Sequence, residues 1–305
     1  MELQAFGLIN WLVLGTYLGS NIVLGFVLSK KVTTADDFFV GRRNIPWWAI
    51  GISVVATYVS ALSFLGGPAW AYTEGLSVIA IHLNYPIVIF IVIAFFLPFF
   101  FNSGVASIYE YLERRFGPTS RSVIAVIFLV SQSLTSSAIL YATALVLEFI
   151  TGMPVIYAIV IITFIALIYT IMGGLAAVIW TDVIQAFILL IGAIIITVSL
   201  INNLSLPLGE TLELLKSDGK TNPLNFSFDP TKVSTVWTGV IAMALFHITV
   251  YGANQMMVQR TLASKNIGDA KKSFLMMGYF AIFIYFLFFL LGILFYSYYG
   301  GREFE

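Results

Sequence analysis

Asp182 is the carboxylate of this sequence that is placed to enter a membrane between two long apolar runs. It lies in the segment from Tyr169 to Gln185, which contains a Gly-Gly pair followed by Trp-Thr-Asp and then Gln. An aspartate at the centre of a bilayer costs about 2.5–3.5 kcal/mol on insertion scales. We therefore expect a partner that compensates this charge, and the most economical candidate is a cation that binds and leaves.

A structural role for the same residues stays open. Thr181 and Asp182 are residue types that cap the start of a helix, where their oxygen atoms accept hydrogen bonds from free N–H groups at the positive end of the helix dipole. Capping and ion handling are compatible, so the pattern alone does not decide between them.

The composition indicates a membrane protein. Of the 305 residues, 60% are hydrophobic and 10% are charged, whereas a soluble domain carries about 25% charged residues. The formal net charge of zero makes nucleic acid an unfavourable partner. The sequence has no cysteine, which excludes disulfides and thiolate metal sites, and its two histidines leave little for an imidazole metal site.

A spanning helix needs about 20 apolar residues, and the sequence contains eight runs of that kind. The first run follows no basic segment and is too long for the apolar region of a signal peptide, so we expect a retained helix. The predicted spans are 6–29, 46–72, 75–101, 122–150, 154–173, 177–201, 234–256 and 274–299.

The basic residues predict that the N-terminus lies outside the cell, because loops on the cytoplasmic side carry the excess of Lys and Arg. Of the 15 Lys and Arg residues, eleven fall after spans one, three and seven and four fall on the other side. The eleven are Lys30, Lys31, Arg42, Arg43, Arg114, Arg115, Arg121, Arg260, Lys265, Lys271 and Lys272, and the four are Lys216, Lys220, Lys232 and Arg302. We expect a short amphipathic helix near 208–216 in the outer loop 202–233, and a helix on the membrane surface from Ser107 to Phe116.

Two predicted spans are irregular. Small and hydroxyl-bearing residues crowd the middle of span two, and Gly66-Gly67-Pro68 loosens its outer end. Span seven carries His, Thr, Tyr, Gly, Asn and Gln between Phe246 and Gln255. Interrupted helices in comparable positions of two halves are typical of a transporter site between inverted repeats. Ordinary packing of small residues between helices is the alternative for span two.

The two histidines, His82 and His247, both lie in the middle of predicted spans. A single buried histidine is more often structural, but two at similar depth favour a shared pocket. Glu148 and Glu74 lie at span ends, where the membrane interface explains them without a functional role.

Four ordered segments resemble the sodium:solute symporter family. They are Ala35–Arg43, Tyr109–Phe116, Tyr169–Gln185 and Asn254–Arg260. The resemblance implies an all-α integral membrane protein with the five-plus-five inverted-repeat fold. Residues 1–305 would form one transmembrane domain, with an extra first helix at 6–29, a first repeat at 46–201 and the start of a second repeat at 234–299. The family continues for several more spans, so we expect the chain to be truncated after about eight helices.

The resemblance also implies the site residues, carried over position by position. The backbone carbonyls of Ala56 and Val59 would bind Na⁺ at a break in span two, and Asp182 would serve an additional ion site or the inward route of the ion. Ser60 and Ser63 would face the solute, with His82, Thr135 and His247 near the same cavity. Na⁺ would be the coupling ion, and no other cofactor is expected.

Two departures from the family bear on the solute. The sialic acid branch has an arginine on span four that binds the substrate carboxylate, whereas Ser131–Ser137 contains none. A buried carboxylate without a fixed cation is costly. The proline branch has an acid on the broken helix where this sequence has Tyr58. A neutral sugar or related polyol therefore fits better, and a monocarboxylate is the next candidate.

These observations predict a Na⁺-coupled symporter of the cell membrane that works by alternating access. The alternative is a membrane sensor built on a transporter-like domain, and a soluble signalling domain after Glu305 would favour it. An enzyme is not expected, because no paired carboxylates and no cluster of His, Asp and Glu are present in the sequence. The oligomeric state stays open.

Overall fold

The computed structural model describes residues 6–30, 32–105, 107–229 and 231–301. Lys31 and Arg302, which enter the count of basic residues above, lie outside the described residues. The α-helices are α1 Leu8–Ser29, α2 Ala35–Val40, α3 Trp47–Tyr58, α4 Ala61–Glu74, α5 Tyr85–Ile91, α6 Leu97–Ser103, α7 Ile108–Phe116, α8 Pro118–Thr151, α9 Val155–Asn202, α10 Leu208–Ser217, α11 Met243–Ala253, α12 Gln255–Leu262 and α13 Ile267–Tyr298.

Each of the eight predicted spans falls in helical structure, but the division differs from the prediction. By length and composition, the described residues contain five helices able to cross a membrane, or six if the bent pair of Thr238–Ala253 and Gln255–Leu262 is one span. The third predicted span is a series of short pieces: a 3₁₀ helix at Gly75–His82, α5, a π-helical turn at Val92–Phe96, and α6.

Predicted spans five and six join at one residue, Gly174, which interrupts α9 with φ 57° and ψ −153°. Two features of this position require glycine. Its φ is positive, and the backbone oxygen of Phe38 would lie 2.6 Å from an added Cβ. The gap predicted between residues 173 and 177 therefore falls at the correct place. The helix resumes at once on the other side of Gly174, without a loop.

The core of the bundle is built around α13, which packs against α3, α4 and α9. Helix α1 lies along α9, where Gly25 meets the backbone of Tyr169 closely enough that an added Cβ would be 2.9 Å away. Helix α8 is peripheral, since Ala144 is its one buried position among the described residues.

The two ends of the bundle differ. At the basic end, α2, α7 and α12 meet: Gln259 Nε2 donates to the Phe39 carbonyl at 2.8 Å, and the Gln255 side chain accepts from Ile108 N–H at 3.0 Å. At the loop end lies the segment 203–237, where α10 confirms the helix predicted near 208–216. The helix predicted from Ser107 to Phe116 is present as α7, with the Ser107 hydroxyl accepting from Glu110 N–H at 3.1 Å, and its place on the membrane surface stays a prediction.

Candidate functional site

The helix of predicted span two is broken at Val59 and Ser60, which are extended between α3 and α4. In a continuous helix the Ser60 N–H would bond to the Ala56 carbonyl. It donates instead to Ser63 Oγ at 3.3 Å, and Ser63 N–H bonds to the Ser60 carbonyl at 3.0 Å rather than to Val59. The carbonyls of Ala56 and Val59 are thus released from the helix ladder.

This break lies deeper than the looseness expected at Gly66-Gly67-Pro68. Helix α4 runs through those three residues with Pro68 inside it. The discontinuity predicted for span two is therefore present, but Ser60 and Ser63 create it by offering the backbone a local alternative to the helix bond.

The second break lies at Asn254, which is extended between α11 and α12. The two helices meet at a bend of 51°. The Asn254 side chain accepts from Met256 N–H at 2.9 Å and so starts the new helix. The irregularity expected between Phe246 and Gln255 is confirmed at its far end. The bend turns α12 into the bundle.

Because of this bend, Arg260 is 8% exposed and reaches Asp182. Arg260 Nη2 lies 3.1 Å from Asp182 Oδ2, and Arg260 Nε donates to Ser53 Oγ at 3.0 Å. Ser53 Oγ in turn donates to the same Asp182 oxygen at 2.6 Å. We refer to Ser53, Asp182 and Arg260 as the ionic triad.

The ionic triad corrects two expectations. Arg260 was counted as a loop residue, but it is a buried residue of α12. Asp182 was expected to need an exchangeable cation as its partner, but in the described structure a resident cation, Arg260, compensates its charge. The pair could not be predicted from the sequence, because Arg260 follows the apolar run of span seven and hydropathy does not reveal the bend of the helix at Asn254.

The capping interpretation of Thr181 and Asp182 is wrong. Both residues lie inside α9, several residues after it resumes at Gly174. The Thr181 hydroxyl donates to the Val178 carbonyl at 2.9 Å, a bond made within the helix rather than at its start.

A second buried polar group joins His82 and His247. Their rings lie 6.1 Å apart and nearly parallel, and His82 stacks on Tyr285 at 3.9 Å. Tyr85 contacts both imidazoles at 5.1–5.2 Å between ring centroids. We refer to His82, Asn84, Tyr85, His247 and Tyr285 as the histidine cluster.

Asn84 fixes the tautomer of His247. The Asn84 amide nitrogen donates to the carbonyls of Ile81 at 2.6 Å and Gly239 at 3.0 Å, so its Oδ1 is the acceptor toward His247 Nδ1 at 2.7 Å. Neutral His247 then carries its proton on Nδ1 and presents Nε2 as an acceptor. His247 Nε2 and both ring nitrogens of His82 have no hydrogen-bond partner among the described residues.

Of the residues predicted to bind the solute, His82, His247 and Ser63 lie near one another, whereas Thr135 does not. His82 and His247 lie together, and Tyr58 at the end of α3 contacts His247 with ring centroids 5.8 Å apart. Ser63 lies within hydrogen-bonding reach of the Tyr285 hydroxyl. The break therefore adjoins the histidine cluster.

Thr135 belongs to neither the break nor the histidine cluster. It is exposed on α8, and its hydroxyl donates to the Ser131 carbonyl of the same helix at 3.0 Å. Sequence reasoning also missed Asn84 and Tyr285. Asn84 had the signal of a polar residue beside His82 in an apolar run, whereas Tyr285 had no distinguishing signal.

A bundle of apolar helices in which two interrupted helices meet buried polar groups is the architecture of a secondary transporter. The family model described as "SSF: Sodium:solute symporter family" matches residues 38–302, and the chain belongs to this family. Family membership and the apolar helices make it a multi-pass membrane protein. The prediction that it is not an enzyme is confirmed, because the family consists of symporters, and Na⁺ is the coupling ion of that family.

The chain is similar to several characterised relatives. It is 33% identical over 299 residues to the sodium/sialic acid symporter SiaT of Proteus mirabilis, a match that covers 98% of this chain and 60% of that protein. It is 32% identical to the sodium/glucose cotransporter of Vibrio parahaemolyticus, covering 93% of this chain and 54% of that protein.

A solved structure of a Na⁺-coupled sialic acid symporter, in a substrate-bound outward-open state, superimposes with a TM-score of 0.89 at 32% identity. That match covers 97% of this chain and 62% of the solved chain. The matches therefore cover 54–62% of the length of these three proteins.

Proposed function

We propose that this chain acts in Na⁺-coupled symport of a small, neutral, polyhydroxylated solute such as a sugar, by alternating access across the cell membrane. The observation that carries the proposal is the break at Val59 and Ser60, which lies beside the histidine cluster. A break of this kind supplies carbonyl oxygens for a cation and helix ends for an organic solute.

Na⁺ is assigned to the carbonyls of Ala56 and Val59. Both are released from helix bonding at the break, where Ser60 and Ser63 take the hydrogen bonds that would otherwise cover them. Asp182 is proposed as an additional ion site or as part of the inward route. Since Arg260 already pairs with Asp182, Na⁺ would reach this carboxylate only when Arg260 moves away.

The solute is assigned to Ser60, Ser63, His82 and His247. Hydroxyl groups and neutral imidazoles both donate and accept hydrogen bonds, which matches the hydroxyls of a sugar. The aromatic rings of Tyr85 and Tyr285 supply flat apolar faces beside them. Thr135 was also assigned by resemblance, but no described contact brings it to this group.

A neutral solute is favoured over an acid. The contacts described for the rings of His82 and His247 are to aromatic rings and to Asn84, and none of these side chains carries a fixed positive charge. A carboxylate placed among them would be desolvated without compensation. The relatives are named for an acidic solute, sialic acid, and for a neutral one, glucose. The proposal of a neutral solute therefore rests on the uncharged side chains around the two histidines.

Coupling would follow from the shared break. Na⁺ at the Ala56 and Val59 carbonyls would order the residues that also present Ser60 to the solute, so that each ligand favours the state that binds the other. We also propose that the two broken helices are related as inverted repeats and that the N-terminus lies outside the cell.

The test is uptake by the purified native protein in proteoliposomes. We expect uptake of radiolabelled D-glucose under an inward Na⁺ gradient, little uptake under a K⁺ gradient, and weaker uptake of N-acetylneuraminate and L-lactate. Uptake of an acid in preference to any neutral sugar would overturn the solute class. Equal uptake in Na⁺ and K⁺ would overturn Na⁺ coupling.

A further inference from the structure

Helix α4 carries Ser63 near one end, and its α-helical backbone is interrupted at both ends. It begins after the break at Ser60 and ends at Gly75, whose φ is +74°. Its 14 residues span about 21 Å at 1.5 Å per residue. The last carbonyls of such a helix have no partner inside it and lie at the negative end of its dipole.

Lys220 supplies those partners from the segment at the loop end. Its ammonium donates to the Tyr72 carbonyl at 3.0 Å and also to the Thr73 carbonyl. The same ammonium lies 4.4 Å from the centre of the Tyr296 ring on α13. One cation therefore binds the end of α4 and the facing helix at once.

The backbone around Lys220 strengthens this connection. Its carbonyl accepts from Leu76 N–H at 2.8 Å, and it approaches Gly75 so closely that an added Cβ would lie 2.7 Å from that oxygen. Asp218, two residues earlier, accepts from the Tyr296 hydroxyl at 3.2 Å. We call Asp218, Lys220 and Tyr296, together with the Tyr72 and Thr73 carbonyls that Lys220 binds, the Lys220 latch.

The Lys220 latch lies at one end of an interface that reaches the break at the other end. Along α4 and α13, Tyr72 contacts Tyr296 at 5.3 Å and Phe64 contacts Phe288 at 5.4 Å between ring centroids. Ser63 then reaches Tyr285. A displacement of the end of α4 is therefore passed along a packed pair of helices to Ser63.

Space for such a displacement exists. A cavity of about 800 Å³ lies between α4 and α13 beside Lys220, lined by Leu65, Ala69 and Phe295 among others. The bonds of Lys220 therefore hold the end of α4 at the border of this cavity.

We propose that Lys220 is a positioning residue for the ion and solute site: by holding the end of α4 against α13, it fixes the break about 21 Å away in the geometry that binds Na⁺. This inference rests on the proposed function and adds to it a residue that touches neither ligand. Loss of the Lys220 latch lowers the fraction of protein in the competent geometry, and the apparent Na⁺ affinity falls by the same fraction.

The experiment compares binding of ²²Na⁺ to the purified native protein with three variants. For Lys220→Met we expect about 5-fold weaker binding, at the lower end of measured coupling between sites. Lys220→Arg keeps a cation that can lie over the Tyr296 ring and donate to the carbonyls, and is expected within about 2-fold of wild type. Lys216→Met is the matched control, since Lys216 is an exposed lysine of the same segment, and is expected to bind as wild type.

Equal affinity of Lys220→Met and Lys216→Met would overturn the latch while leaving the proposed function standing. Failure of wild type to bind Na⁺ would overturn the proposed function instead. Amide hydrogen exchange gives a readout that needs no ligand: protection of residues 61–74 should fall in Lys220→Met and not in Lys216→Met. If Lys220→Met does not fold, Tyr296→Leu removes the ring and its hydrogen bond to Asp218 but keeps the bonds of Lys220 to α4, and should give a smaller loss, about 2-fold, in the same direction.

Discussion

The ionic triad and the histidine cluster are both buried and polar, but they differ in how their hydrogen bonds are met. In the ionic triad, Arg260 and Ser53 both bond to the same Asp182 oxygen and to each other. In the histidine cluster, three ring nitrogens lack a partner among the described residues. Buried polar groups of native proteins are normally paired.

The difference indicates two roles. A paired charge group with its hydrogen bonds satisfied holds helices α3, α9 and α12 in one arrangement, and it needs no ligand to be stable. An unpaired set of imidazole nitrogens costs stability until something else supplies the bonds. The histidine cluster is therefore the better candidate for direct contact with a solute, and the ionic triad for control of the arrangement around it.

The largest effect is expected on breaking the ionic triad. Arg260→Met leaves the Asp182 carboxylate buried and uncompensated, which should lower the free energy of unfolding by about 3–5 kcal/mol. Chemical unfolding in detergent micelles measures it. The double variant Arg260→Met with Asp182→Asn removes both charges and should recover most of the loss. A single variant as stable as wild type would show that the pair does not hold the bundle.

The next effect concerns Na⁺. Asp182→Asn should raise the Na⁺ concentration for half-maximal uptake by about 20-fold, within the usual range of coupling between sites, and change solute affinity at saturating Na⁺ much less. Glu148→Gln is the matched control, because Glu148 lies at the end of α8, where its side chain accepts from Val155 N–H. Unchanged Na⁺ activation in Asp182→Asn would remove Asp182 from the ion pathway.

The third prediction separates function from stability in the histidine cluster. His82→Phe keeps a flat ring against Tyr285 but removes two unpaired nitrogens. We expect unchanged or slightly higher stability and about 10-fold weaker solute binding, which corresponds to 1.4 kcal/mol.

His247→Phe is the contrasting variant, because it also breaks the bond to Asn84 at 2.7 Å. It should lower stability by about 1–3 kcal/mol. If His82→Phe were the less stable of the two and bound solute normally, the roles assigned to the two histidines would be wrong.

The smallest effect is expected at Thr135. Its exposed position on α8 places it outside the histidine cluster, so Thr135→Val should change solute affinity by less than about 2-fold, the scale of a surface substitution. Competition binding measures it beside His82→Phe. A loss as large as that of His82→Phe would show that α8 contributes to the site, as the resemblance implied.

The small and hydroxyl-bearing residues of span two indicated an interrupted helix and left ordinary packing open, and the family resemblance placed the break at Ala56 and Val59. The structure supplies the physical reason, because Ser60 and Ser63 compete with the backbone for its hydrogen bonds.

The sequence also predicted that His82 and His247 share a site, since both fall at the same depth of an apolar run. The gap predicted between the spans 154–173 and 177–201 contains Gly174, where the structure interrupts α9. These features depend on local chemistry or on depth in the membrane.

The partner of Asp182 did not follow from the sequence. Hydropathy treats each span as straight, and the 51° bend after Asn254 carries Arg260 back from the expected loop into the bundle. Tyr285 was missed for another reason. Aromatic residues make up 16% of the sequence, so a single tyrosine on α13 carries no signal until the fold places it on His82.

The most direct test of the central claim uses the fact that this chain contains two histidines. We would label the native protein with ring-¹⁵N histidine and record the imidazole nitrogen resonances in Na⁺, with and without the solute that uptake selects, using His82→Phe for assignment. We expect the solute to shift the Nε2 resonance of His247 and both nitrogen resonances of His82. Saturable, Na⁺-dependent solute binding that leaves all of these resonances unchanged would contradict it.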